Sequence, residues 1–298
     1  MINPFKFIPL PRIVFGRGKI EELPQLLSEY GFEVLLILGS ESFSKTGHLG
    51  SLQEALADCG TSFYVEQISG EPSPEAVDTI VSKYRQHNLA AVAAVGGGSV
   101  LDGGKAVSAM LCAPGSVTDY LEGVGSKNPI GKKIPFLAVP TTAGTGSEVT
   151  LVAVISDLEK GVKLPFTSYF LLPNAAILDP RMTLTLPAHI TAMTAMDAMT
   201  HAVEAFTCMG KNPISDAYAM SAIKKISENL IKVLNTPDDA EARLELAQAS
   251  TMAGVAFSNS MVGLVHSLGH SLGALCHLPH GLCMNLFLPY VLEYNLAE

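Results

Sequence analysis

The sequence predicts a Rossmann-like α/β domain followed by an all-α domain. Strand and helix patterns alternate through the first half, and the strand patterns are continuous apolar runs, which is typical of a parallel sheet covered on both faces. Beyond Thr185 strand signals become scarce and long helical patterns take over. The length of 298 residues also suits two domains. We therefore predict domains at residues 1–181 and 182–298.

The predicted elements follow from apolar spacing and turn residues. The helix predicted at 74–87 is an example: Pro74 suits a first helical turn, and Val77, Ile80 and Val81 repeat at helical spacing. The first domain contains strands at 11–16, 33–38, 61–68, 89–95, 134–139, 151–156 and 175–178, and helices at 19–30, 49–57, 74–87 and 100–110. The second contains helices at 190–207, 215–234, 240–257 and 264–276.

Composition excludes several classes of function. The net charge is −9 and no basic cluster is visible, so we expect no nucleic-acid partner. Hydrophobic residues make up 48% of the chain, but their runs fall short of the ~20 residues that cross a bilayer, and no signal peptide is recognised. The five cysteines are scattered and odd in number, which favours a reduced, cytoplasmic protein without a membrane partner.

A glycine-rich turn follows the predicted strand at 89–95. Gly96-Gly97-Gly98-Ser99 leads directly into a helical pattern, and a helix start with glycines before it can hold a pyrophosphate on its free N–H groups. The turn does not match G-x-G-x-x-G, so a tight strand–helix turn without a ligand stays open. The loop at 140–150 could wrap a nucleotide with its hydroxyls or be an ordinary polar loop.

A second group of polar residues lies in the predicted helical half. Asp197 and His201 are four apart, as are His266 and His270, so each pair shares one helix face; His280 follows downstream. Asp with several His and no thiolate suits a catalytic Fe(II), Zn(II), Mn(II) or Co(II) better than a closed structural zinc site. Spacing alone leaves hydrogen-bonded core residues as an equal alternative.

Three motifs in this order resemble those of the iron-containing alcohol dehydrogenases, which share a dehydroquinate synthase-like fold with glycerol dehydrogenase. They are the segments 96–105, 140–150 and 197–204, the last combined with His266-x3-His270-x9-His280. The similarity extends from about Arg12 to Asn295. It implies an N-terminal NAD(P)-binding α/β domain, a C-terminal helical metal-binding domain, an active site in the cleft between them, and a homo-oligomer.

The resemblance also implies roles for individual residues. His270 is expected to relay protons beside the nicotinamide. The implied metal, Fe(II) before Zn(II), has four ligands: Asp197, His201, His266 and His280. The positions that match cofactor contacts or their motif are Gly97, Gly98, Ser99, Asp102, Thr141, Thr142, Thr150 and Lys163.

The reaction implied is hydride transfer between a nicotinamide and a primary or small alcohol, which becomes an aldehyde or ketone. Three alternatives stay open: glycerol-dehydrogenase-like polyol oxidation, a metal-dependent hydrolase, and a catalytically silent nucleotide-binding subunit. The glycine turn at 96–99 and the loop at 140–150, called the Thr-rich loop below, argue against the hydrolase, because hydrolysis needs no dinucleotide.

Some positions depart from the family pattern. Many relatives carry an acid where this chain has Gly39, so Gly39-Ser40-Glu41 leaves both NAD and NADP open, with Lys45 as the nearby basic residue. His277 is assigned to the pocket wall. Relatives continue with further helices beyond the position of Glu298, so we expect part of the helical packing to be missing.

Overall fold

The computed structural model describes residues 4–39, 43, 47–127, 130–157, 161–276 and 278–296. The chain forms two compact units. An α/β unit comprises Pro11–Thr141 and Ser147–Thr185, and a helical unit comprises Met1–Leu10, Thr142–Gly146 and Leu186–Glu298. The predicted domain division at 181 and 182 remains a prediction. The structure adds that residues 1–10 and 142–146 group with the helices.

The strands of the α/β unit are β1 (Arg12–Phe15), β2 (Glu33–Leu38), β3 (Ser62–Gln67), β4 (Ala91–Gly96), β5 (Phe136–Pro140), β6 (Val152–Asp157), β7 (Val162–Thr167) and β8 (Ala175–Leu178). Six of them form a parallel sheet with the strand order β1-β8-β5-β4-β2-β3. A separate antiparallel hairpin pairs β6 with β7.

Both faces of the sheet are covered, as the apolar runs predict. Alternate residues of one strand belong to different cores: Leu35 and Ile37 lie in one cluster, and Val34 and Leu36 lie in the other. The period of two in a strand places neighbours on opposite faces, so an all-apolar strand needs two cores. The helices of this unit are α1 (Leu23–Ser28), α2 (His48–Asp58), α3 (Pro74–Tyr84) and α4 (Gly98–Met110).

Two segments of the α/β unit differ from expectation. The helix predicted at 19–30 starts as a short 3-10 turn at Lys19–Glu22, and α1 then restarts with Pro24 in its first turn, where proline is tolerated. Strand β7 was not predicted, because Lys163 and Pro165 interrupt its apolar pattern. A lysine and a proline are tolerated in β7 because it pairs with β6 in a two-stranded hairpin and most of its residues remain partly exposed.

The helical unit contains five helices among the described residues: α5 (Ala188–Thr207), α6 (Pro213–Asn235), α7 (Ala240–Ser258), α8 (Leu264–Cys276) and α9 (His280–Leu296). Helices α5, α6 and α7 share a core that is mostly alanine. Helix α9 was not predicted, because its own apolar residues occur on all sides of the helix and show no helical spacing, and because it contains Pro289. None of the described helices is long and apolar enough to cross a bilayer.

The middle of the Thr-rich loop packs on the helices of this unit. A Cβ added at Gly144 would lie 2.7 Å from Thr194 Cβ, and one at Gly146 would lie 2.6 Å from Gly254 Cα. Gly146 also has a φ of +62°, which favours glycine. These two glycines therefore let the loop backbone lie directly against α5 and α7.

Helix α4 approaches the sheet equally closely, which generates a prediction. A Cβ added at Gly104 would lie 2.7 Å from Ala94 Cβ and 2.8 Å from Phe136 Cε2. We expect Gly104→Ala to lower the free energy of unfolding by about 1–3 kcal/mol through overpacking. Urea denaturation measures the change.

The matched control is Gly50→Ala in α2, where no described heavy atom lies within 4 Å of the added Cβ. We expect this variant to gain about 0.5–1 kcal/mol from helix preference. A stabilised Gly104→Ala would show that α4 can move away from the sheet.

Candidate functional site

Four side chains from three helices meet in the helical unit. Helix α5 supplies Asp197 and His201, α8 supplies His266, and α9 begins with His280. Each offers one ligand atom, and these atoms all lie within 4.8 Å of one another. Asp197, His201 and His266 are buried, whereas His280 is partly buried. The structure therefore brings together the four residues that the resemblance assigns to a metal.

The carboxylate of Asp197 faces two imidazoles. Its Oδ1 lies 3.3 Å from His280 Nε2 and 3.9 Å from His266 Nε2. The rings of His201 and His266 are stacked with centroids 4.5 Å apart, and those of His266 and His280 are 5.6 Å apart. The i, i+4 spacing on α5 explains why Asp197 and His201 face the same side.

Two buried ring nitrogens of these residues have no hydrogen-bond partner among the described residues: His201 Nδ1 and His266 Nε2. A buried polar atom without a partner costs about 1–3 kcal/mol. Two such nitrogens on residues clustered with the Asp197 carboxylate fit a divalent cation bound by nitrogen and oxygen.

The protonation states suit the same interpretation. Burial lowers the pKa of His201 to about 3, so its ring is neutral in the physiological range. Burial opposes ionisation of Asp197, but the adjacent imidazoles of His201 and His280 favour its charged form and hold its pKa below the ordinary value. Ligands must be deprotonated to bind a metal, and these two already are.

His270 lies beside this group. It is exposed and one turn beyond His266 on α8, with its ring 5.1 Å from that of His280 and 5.7 Å from that of His266. An exposed imidazole next to a buried polar centre can exchange protons with solvent. Its predicted role as a proton relay is consistent with this position and stays a prediction.

Two further residues support the histidines and were not predicted as site residues. Glu204 is buried, and its Oε2 accepts a hydrogen bond from His266 Nδ1. The ring of Phe257 stacks on His201 with centroids 4.4 Å apart. Glu204 had a signal, because Asp197, His201 and Glu204 share one helix face at i, i+4 and i+7. Phe257 had none.

The glycine turn in the α/β unit has an open helix start. Strand β4 ends at Gly96 and α4 begins at Gly98. The N-cap position is occupied by Gly97, which has no side chain that could cap the helix. Gly97, Gly98 and Ser99 are partly buried, and Thr141 N donates to Gly96 O at 2.9 Å. First-turn amides without a side-chain cap suit a phosphate.

Other predicted cofactor positions make contacts within the protein. Asp102 accepts from Ser147 Oγ at 2.5 Å and from Val154 N at 2.9 Å. Buried Thr150 accepts from Lys105 Nζ at 2.8 Å. Lys163 on β7 pairs with Glu71. Thr142 belongs to the helical unit. The cofactor roles of these residues stay predictions.

Lys105 is a buried cation that links these contacts. Its Nζ donates to Thr150 Oγ1 and to Val152 O, each at 2.8 Å, and lies 3.4 Å from Asp102 Oδ1. Burial lowers the pKa of Lys105, and the Asp102 carboxylate opposes that shift. The network joins α4, just after the glycine turn, to the end of the Thr-rich loop and to β6.

The residues that bear on the choice of dinucleotide are only partly described. Gly39 follows β2, and its N–H donates to Val95 O at 3.2 Å. Ser40, Glu41 and Lys45 lie outside the described residues, and so does His277, the predicted residue of the pocket wall.

Comparison with known proteins covers almost the whole chain. The family model "Iron-containing alcohol dehydrogenase" matches residues 11–180. The model "Fe-containing alcohol dehydrogenase family, C-terminal" matches residues 191–298.

Individual proteins agree with the family models. The NAD-dependent methanol dehydrogenase of Bacillus methanolicus is 37% identical, over 97% of this chain and 75% of its own length. The NADPH-dependent butanol dehydrogenase of Clostridium saccharobutylicum is 35% identical, over 96% of this chain and 73% of its own. The solved structure of an iron-containing alcohol dehydrogenase from Thermococcus thioreducens superposes with a TM-score of 0.89 at 32% identity, covering 98% of this chain and 77% of that one.

The buried lysine generates a prediction. Lys105→Met leaves the Asp102 carboxylate without its cation, and we expect a loss of about 2–4 kcal/mol in the free energy of unfolding. Urea denaturation of Lys83→Met is the control, because Lys83 forms an exposed pair with Glu66 and its removal should leave the midpoint nearly unchanged. Similar losses in both variants would contradict a structural role for the buried network.

Proposed function

Because the chain belongs to the iron-containing alcohol dehydrogenase family, we propose that it interconverts a small alcohol and its aldehyde or ketone by hydride transfer to or from a nicotinamide dinucleotide. The main support is the group of four ligand-type side chains, in which two buried ring nitrogens lack a hydrogen-bond partner among the described residues. A hydride acceptor must also bind, and the open start of α4 suits its pyrophosphate.

Asp197, His201, His266 and His280 would hold the cation. Fe(II) is the first choice from the family, and Zn(II) is the second, since nitrogen and oxygen ligands accept both. A bound divalent cation supplies Lewis-acid polarisation of the substrate oxygen and lowers the pKa of the alcohol. The protein itself excludes water around Asp197, His201 and His266 through their burial.

His270 would accept the proton of the alcohol at a ring nitrogen and release it to solvent. Its exposure allows that exchange, and imidazole is suited to it because its ordinary pKa lies near neutral pH. In the direction of aldehyde reduction the same ring would return the proton.

The dinucleotide would lie on the glycine turn. The amides of Gly97, Gly98 and Ser99 would bind the pyrophosphate, and the hydroxyls of Thr141 and Thr142 and the ammonium of Lys163 would add polar contacts. Asp102 and Thr150 would shape this site through the Lys105 network. The two relatives named above use NAD and NADPH respectively, so both cofactors belong in the assay.

We also propose a cytoplasmic homo-oligomer, a dimer or larger. No disulfide joins any of the five cysteines in the described part of the chain, which suits a reducing compartment. The oligomer follows from the family resemblance, and light scattering on the purified protein tests it.

The central prediction concerns activity and metal together. Absorbance of the reduced nicotinamide, followed with alcohols, polyols and aldehydes, should show turnover that a chelator abolishes and Fe(II) restores. Asp197→Ala should lower kcat roughly 1,000-fold, because several kcal/mol of charge stabilisation depend on the cation and each 1.4 kcal/mol is tenfold. It should still bind dinucleotide.

Asp216→Ala is the control, because it removes an aspartate from the same unit that pairs with Lys211 instead of the cluster. It should keep both metal and activity. Full activity of the metal-free protein, or ester hydrolysis without any dinucleotide, would contradict the proposal.

The relay role of His270 is tested separately. His270→Asn should lower kcat about 100-fold, as expected when a general acid–base is removed. Its metal content should match that of the unmodified protein, because His270 is not one of the four clustered side chains. Loss of the metal instead would assign His270 to the ligand set.

A further inference from the structure

We propose that Glu204 is a positioning residue of the metal centre: its carboxylate decides which nitrogen of His266 carries the proton and therefore which one faces the cation. The inference rests on the metal site proposed above and goes beyond it, because Glu204 is not one of the four clustered side chains.

The hydrogen bonds of His266 carry the argument. Its Nδ1 contacts Glu204 Oε2, whereas its buried Nε2 has no hydrogen-bond partner within the described ranges and lies 3.9 Å from Asp197 Oδ1. An ionised carboxylate can only accept hydrogen bonds, so Nδ1 must hold the proton. The lone pair of a neutral ring is then on Nε2, the nitrogen directed at the cluster.

The other oxygen of Glu204 fastens the helix that carries His266. Helix α8 begins at Leu264, and its first amides lack carbonyl partners within the helix. Glu204 Oε1 accepts from Val265 N at 2.6 Å, so a carboxylate on α5 caps α8. One side chain therefore sets both the position of the α8 backbone and the orientation of the His266 ring.

The turn before α8 is shaped to permit this contact. A Cβ added at Gly263 would lie 3.1 Å from Glu204 Oε1, so glycine makes room for the carboxylate. Met261 has a φ of +108°, a strained value for a residue with a side chain. Strain of this kind persists only where surrounding contacts enforce it. The Gly210 Cα approaches the same turn, since a Cβ there would lie 2.4 Å from Ser260 O.

Burial strengthens the interaction. Glu204 is 4% exposed and His266 is 3% exposed, so water does not compete for either group. Two donors face the Glu204 carboxylate, the Val265 amide at Oε1 and His266 Nδ1 at Oε2, so both of its oxygens act as acceptors.

The decisive variant is Glu204→Gln, which keeps the shape and changes the hydrogen bonds. Its single amide oxygen can accept from Val265 N, which leaves the amide NH2 group facing His266 Nδ1. That group donates, so the proton of the ring is expected to move to Nε2, where it blocks a cation. Glu204→Ala removes both contacts.

Two measurements test the proposal. Nitrogen-15 NMR of the metal-free protein at about pH 8, above the ordinary histidine pKa, reports the tautomer of His266, with His266→Asn for assignment. Titration with Co(II) reports affinity. We expect the Nδ1–H form in the unmodified protein, the Nε2–H form in Glu204→Gln, and about 10–100-fold weaker Co(II) binding in both variants.

Asp239→Ala separates this role from simple capping. Asp239 caps α7 by accepting from Ala242 N at 3.0 Å, so its loss should lower the melting temperature without changing the tautomer or the Co(II) affinity. Glu204→Gln with an unchanged tautomer, or with unmodified Co(II) affinity, overturns the inference. If the unmodified protein binds no Co(II), the proposed function fails, and the tautomer still decides the role of Glu204.

Discussion

A buried carboxylate surrounded by imidazoles is the constraint on which the helical unit depends. Asp197 is 3% exposed, and its Oδ1 lies 3.3 Å from His280 Nε2 and 3.9 Å from His266 Nε2. Such an arrangement opposes folding unless a cation compensates for it. Helices α5, α8 and α9 must meet at this point. The unit therefore forms its binding centre at a cost in folding stability.

The α/β unit meets a different requirement, which is to hold helix α4 in place although its first turn has no side-chain cap. The helix lies against the sheet through Gly104. The buried Lys105 holds the loop end and β6 to that helix. These contacts keep α4 in position without any capping side chain at its start.

Much of this organisation could be predicted from the sequence, and the exceptions have physical reasons. The parallel sheet was predictable because buried strands are continuous apolar runs, and Asp197 with His201 was predictable because one helix fixes their spacing. Strand β7 was missed because a two-stranded hairpin needs no apolar alternation. Helix spacing places Glu204 on the face of Asp197 and His201, but its role was missed because that spacing does not identify its partners, the ring of His266 and the amide of Val265, which are about 60 residues away.

The alanine core behind α5 limits how the centre can change. Ala195, Ala198, Ala202 and Ala205 line one face of this helix, and alanine has no side-chain rotamer to rearrange. A larger residue there could be accommodated only by moving the whole helix, which would carry Asp197 and His201 with it. Packing behind α5 is therefore coupled to the geometry of the four clustered side chains, since any displacement of this helix moves two of them together.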